Sequence, residues 1–111
     1  MLPFEKDIEK GEAVLFGRCA GLFLYQNIVA KNPLSNAPKS DAETAKNRLF
    51  ALSFPGALAS SEKTHDTLAI AYTKEYIEHF PVEDSARAYP WPAESQLAQD
   101  LKFCIPFTGK G

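Results

Sequence analysis

An all-α fold, a small antiparallel bundle of about four helices, is predicted by three features of this sequence. Apolar residues recur at three- and four-residue spacing, strand-like alternation is absent, and the prolines punctuate the periodic segments. The 111 residues suffice for a single helical domain, 1–111. With 45% apolar and 23% charged residues the chain has the composition of a folded protein, not a disordered one.

The first helix is expected from Pro3 or Phe4 to Lys31, with Gly11 dividing it into a short polar part and a long apolar part. Pro3 suits the first turn, and Glu5, Asp7 and Glu9 complement the positive end of the helix dipole. In the long part Leu15, Cys19, Leu22 and Val29 form one apolar stripe. Phe16, Ala20 and Phe23 form the next, so the helix should sit centrally. Pro33 to Pro38 reads as a loop. Ser40 and Glu43 fit a capping box opening a second helix, whose inner face is Ala42, Ala45, Leu49 and Leu52. Pro55-Gly56 should interrupt the middle of the chain. A third helix is expected from Ser61 to Phe80, with Ile70, Thr73, Ile77 and Phe80 on one stripe and Leu68, Tyr72 and Tyr76 beside it. Ala86 to Trp91 reads as too irregular for a helix. A fourth should start at Pro92 and present Leu97, Leu101 and Cys104.

The run Ala13–Tyr25 falls short of the roughly 20 residues of a membrane span and contains Arg18, so no span is expected. It is preceded by acids where a signal peptide would carry bases. Location is left open between the cytoplasm and, if a signal peptide has been removed, the periplasm or exterior. Cys19 and Cys104 are too far apart for a redox pair in one motif. They are either a disulfide, which a loop of this length makes worth roughly 4–5 kcal/mol, or two buried thiols. Gly17 and Gly21 stand one turn apart and strip a helix face of bulk. That fits a tight internal helix crossing or a homodimer seam.

A net charge of -2 and a pI of about 5.6 provide no basic field for nucleic acid. Phosphate-loop, dinucleotide and G-x-S-x-G motifs are missing, so no catalytic residue and no cofactor is expected. Glu62 and His65 have the Glu-x-x-His spacing of di-iron bundles. The second such motif is lacking, because His79 falls four residues after Glu75, and no metal is expected. Glu83-Asp84 reads as a helix start.

What remains is aromatic. Tyr72 and Tyr76 are one turn apart, and Tyr89-Pro90-Trp91-Pro92 is a stiff segment that fits either a protein interface or a lid with Trp91 packed over the open end of the bundle. From Ser61 onward there are eight acidic and five basic residues, so Glu75 and Glu78 would attract a basic partner. The leading expectation is a non-enzymatic interaction module binding a protein through Tyr72, Tyr76, Tyr89, Trp91, Glu75 and Glu78. One alternative is an extracytoplasmic, disulfide-linked protein that neutralises a secreted partner. The other is a metal-binding or enzymatic bundle using Glu62, His65, Glu75 and His79.

Overall fold

Gly11 divides the N-terminal helical stretch in two, because its φ of 118° lies in a region that side-chain-bearing residues rarely enter. The computed structural model describes residues 3–52 and 62–108. Among them six helices pack together: α1 (Phe4–Ile8), α2 (Glu12–Lys31), α3 (Lys39–Ala51), α4 (Glu62–His79), α5 (Val82–Ala88) and α6 (Gln96–Cys104). A short 3-10 turn, Ile105–Phe107, follows α6, and an isolated antiparallel bridge joins Leu52 to Thr108. Among the described residues the fold is all-α, with six helices where about four were expected.

α2 is the central element. At 20 residues it is long and apolar enough to cross a bilayer, but most of it is buried inside this fold, chiefly against α4 and α3. Cys19, Leu22, Phe23, Tyr25 and Val29 are fully buried along it. A Cβ built on Gly17 would stand 2.5 Å from the Leu68 Cβ, and one on Gly21 would stand 2.6 Å from the Tyr72 Cβ. The two glycines therefore let α4 lie directly on α2. The pairs Gly17/Leu68, Gly21/Tyr72 and Tyr25/Tyr76 keep a constant offset, so α2 and α4 run parallel. In an up-and-down antiparallel bundle the first and third helices run the same way, so this pairing does not overturn that expectation. α3 comes between the two helices in sequence, so they are not consecutive elements.

Several local expectations shift. α3 begins at Lys39 after Pro38, so Ser40 already lies inside the helix and makes no cap. On α4 the inner face holds Ala69, Tyr72 and Tyr76, while Ile70 is 54% exposed and Ile77 38%. The Tyr76 hydroxyl has buried polar partners on two other helices, and satisfying it turns the isoleucines outward. The segment read as irregular is helical as far as Ala88. The last helix starts at Gln96 rather than Pro92, with the Ser95 hydroxyl accepting from the Ala98 N–H. The Pro55-Gly56 interruption and the start at Ser61 lie outside the described residues.

Candidate functional site

Two polar networks hold the aromatic end of the molecule. The deeper one centres on Arg18, which is fully buried in the most apolar helix. Its three guanidinium nitrogens reach three different helices. Nη1 donates to Asp7 on α1, Nη2 to Asp100 on α6 at 3.0 Å, and Nε to the Tyr76 hydroxyl on α4 at 3.2 Å. Tyr76 in turn donates to Asp100 at 2.8 Å, and the guanidinium lies 4.8 Å from the Phe4 ring centre. Burial pulls the Arg18 pKa down, but Tyr76, Asp100 and Asp7 outweigh it and leave the value above the ordinary arginine range. Cys19, beside Arg18 in sequence, is bonded to Cys104 on α6. The pair is therefore neither two thiols nor a nucleophile.

The second network lies about two turns further along α2, at Tyr25 and Gln26. The Tyr25 hydroxyl donates to the Phe80 carbonyl and shares a 2.6 Å hydrogen bond with the Ser85 hydroxyl. Tyr89 accepts from Gln26 at 3.1 Å and donates to Asp41 at 2.9 Å. Between these tyrosines stands Trp91, half-buried. Its ring centre is 6.1 Å from that of Tyr25 and 5.2 Å from that of Tyr89, edge-on to the latter. Its indole N–H donates to the Ser85 carbonyl at 3.1 Å. The Tyr89–Pro90 peptide is cis.

All four tyrosines of the chain are buried and have raised pKa values. Desolvation is the leading cause in each case, with the Asp100 charge next for Tyr76 and the Asp7 charge next for Tyr72, which is pushed up to about 12. Because the folded state holds the phenols protonated, their contribution to stability is fully present below about pH 10, the ordinary tyrosine value. It is lost as pH rises beyond that, through about 12 for Tyr72. At about pH 10 the native protein should therefore show little tyrosinate absorbance, while the urea-unfolded chain is half ionised. Tyrosinate should appear together with loss of helical circular dichroism; a gradual rise centred on the ordinary value in the folded protein would contradict this packing.

Trp91 forms the wall between two surface grooves of about 340 Å³ each. One is lined by Pro90, Ala98, Leu101, Lys102, Ile105 and Pro106. The other lies between α5 and the start of α6, with Phe80, Asp84, Ala88, Ser95 and Leu97 on its walls and His79 at one end. A wider cleft of about 390 Å³ at the α2–α3 link is lined by Lys31, Lys39 and Glu43 and has no aromatic wall.

The residues singled out from sequence thus divide. Trp91 and Glu78 reach the surface and Glu75 is half-buried, whereas Tyr72 and Tyr76 are buried and bonded inward; Tyr89 is also buried and bonded inward, yet it lines the Lys102 groove beside Trp91. Their bulk and polar tips serve the core. The Gly17/Gly21 face is covered by α4 and is not open to a second copy. Glu75 and His79 lie one turn apart on α4, and the side chains of Glu62 and His65 fall outside the described residues. Among the described residues no group of three His, Cys, Asp or Glu side chains converges on a metal-sized point. Sequence reasoning gave Asp7 only a helix-dipole role and assigned none to Asp100 or Ser85. The signal that was present is Arg18 itself, a charge within an apolar run, which requires buried counter-charges if that run is a core helix. The chain matches no protein-family profile, no curated protein and no solved structure.

Proposed function

We propose that this protein is a non-enzymatic binding module that takes a protein partner on its Trp91 edge. The observation that carries this reading is the placement of Trp91. The chain's one tryptophan is fixed by two ring contacts and an indole hydrogen bond, yet it remains partly exposed between two grooves. A large side chain that is already immobile loses little entropy on binding, which is what makes tryptophan a frequent interface anchor. The Cys19–Cys104 bond favours a narrower form of the reading. Persistent disulfides belong to oxidising compartments, so the partner is a protein met outside the reducing cytoplasm, and a stapled module of this size suits neutralising a secreted partner.

Ala88 and Lys102 are exposed on the walls of the two grooves and offer a direct test. A photo-crosslinking residue at either position should capture one defined partner. Ala88→Arg should then weaken that complex at least tenfold while leaving the melting temperature unchanged. Capture from Phe50, which is 75% exposed at the end of α3, but from neither groove would move the interface away from Trp91 and end this assignment.

A further inference from the structure

We infer that the groove between α5 and α6 receives a basic segment of the partner with an apolar anchor, a conclusion that rests on the binding role proposed for the Trp91 edge. Phe80, Ala88, Trp91 and Leu97 give this groove an apolar lining suited to an aliphatic or aromatic side chain. Its surroundings are acidic. Between Tyr76 and Ser95 the chain carries Glu78, Glu83, Asp84 and Glu94 against one base, Arg87, and all five side chains are exposed. None of the four acids takes part in an ion pair among the described residues; the acids that do are Asp7, Asp100 and Glu43. Asp84 lies on the groove wall itself, and its charge is felt as deep as the Tyr25 hydroxyl.

The two sides of the groove differ: Asp84 lines the α5 wall, whereas Glu94 stands just before the α6 start without lining the groove. The α6 wall is the helix start at Ser95, with no acid in its first turn and the partial positive charge of a helix N-terminus. A bound segment would therefore lay its Lys or Arg side chains along α5 and turn backbone carbonyls toward α6. The groove on the other side of Trp91 has the opposite bias, since its one charged lining residue is Lys102. Unpaired acids around an apolar floor give a basic segment both faster encounter and selection against acidic competitors.

Because Trp91 is the only tryptophan, its fluorescence reports on this edge alone. Two capped pentapeptides serve as probes, Lys-Arg-Leu-Arg-Lys and Glu-Glu-Leu-Glu-Glu. The basic peptide should shift Trp91 emission saturably and more weakly as salt rises. Asp84→Lys should weaken its binding at least tenfold, and Lys102→Glu, on the far side of Trp91, should leave it within about twofold because solvent and salt screen an exposed charge. An acidic peptide that binds instead, with the loss falling on Lys102→Glu, would place the occupant in the other groove. That overturns this inference and leaves binding at the Trp91 edge standing. No response to the basic peptide at millimolar concentration also overturns it, whereas failure of the broader reading is seen separately, in absent crosslinks from both Ala88 and Lys102.

Discussion

Arg18→Met is expected to destabilise the protein by about 3–5 kcal/mol, the cost of removing one partner from a buried charge cluster and stranding the others. Asp7 and Asp100 are each almost wholly buried, and both direct an oxygen at the guanidinium. Without it, two carboxylates and the Tyr76 hydroxyl face one another in the core. The exposed Lys10 ammonium, 3.4 Å from Asp7, offers little compensation because surface pairs are weak. Since small domains are stable by only about 5–15 kcal/mol, such a loss should be plain in the urea midpoint. Arg18→Lys should recover little of it. A single ammonium cannot serve acceptors on α1, α4 and α6 at once, whereas the planar fork does so with three separate nitrogens. A near-normal midpoint in the lysine variant would show that charge alone, not the fork, holds these helices together.

Removing the bridge with Cys19→Ala and Cys104→Ala together should cost about 2–5 kcal/mol, because the bond closes a long stretch of chain and so restricts the unfolded ensemble. Both cysteines are fully buried beneath other side chains. Dithiothreitol should therefore leave the native protein oxidised and act only once denaturant opens the fold. Rapid reduction without denaturant would mean that α6 detaches readily. Intact mass of the protein from its native source, with thiols alkylated before and after reduction, tests the compartment. A bridged chain agrees with an oxidising location, and two alkylated thiols before reduction would remove the support for a partner outside the cytoplasm.

The longer helices were legible in the sequence because their signals are local, whereas the short helix Val82–Ala88 was not. Gly11, the proline-bounded loop at 33–38 and the apolar stripes of α2 each act within a few residues of their cause. The facing of α4 was not legible, since hydropathy ranks Ile70 and Ile77 above Tyr72 and Tyr76. The order reverses only once Arg18 and Asp100 supply buried partners for a tyrosine hydroxyl. The glycines announced a close crossing, but nothing in their spacing gave its direction or named α4 as the partner. The candidate site was half legible. Trp91 and the acidic stretch were visible as composition, but the tyrosines grouped with them are framework. Separating anchor from framework requires knowing which aromatic edges meet water.

The bond between α2 and α6 also bears on how the protein is made. Arg18 and Cys19 emerge from the ribosome some eighty residues before Asp100 and Cys104, so through most of synthesis the central helix has neither its second carboxylate nor its covalent partner. Chains with many cysteines face wrong pairings during that interval and depend on reshuffling to correct them. These 111 residues contain two, so only one intramolecular pairing is available to them. Oxidation can come late, or by an indiscriminate oxidant, and still give the native connection.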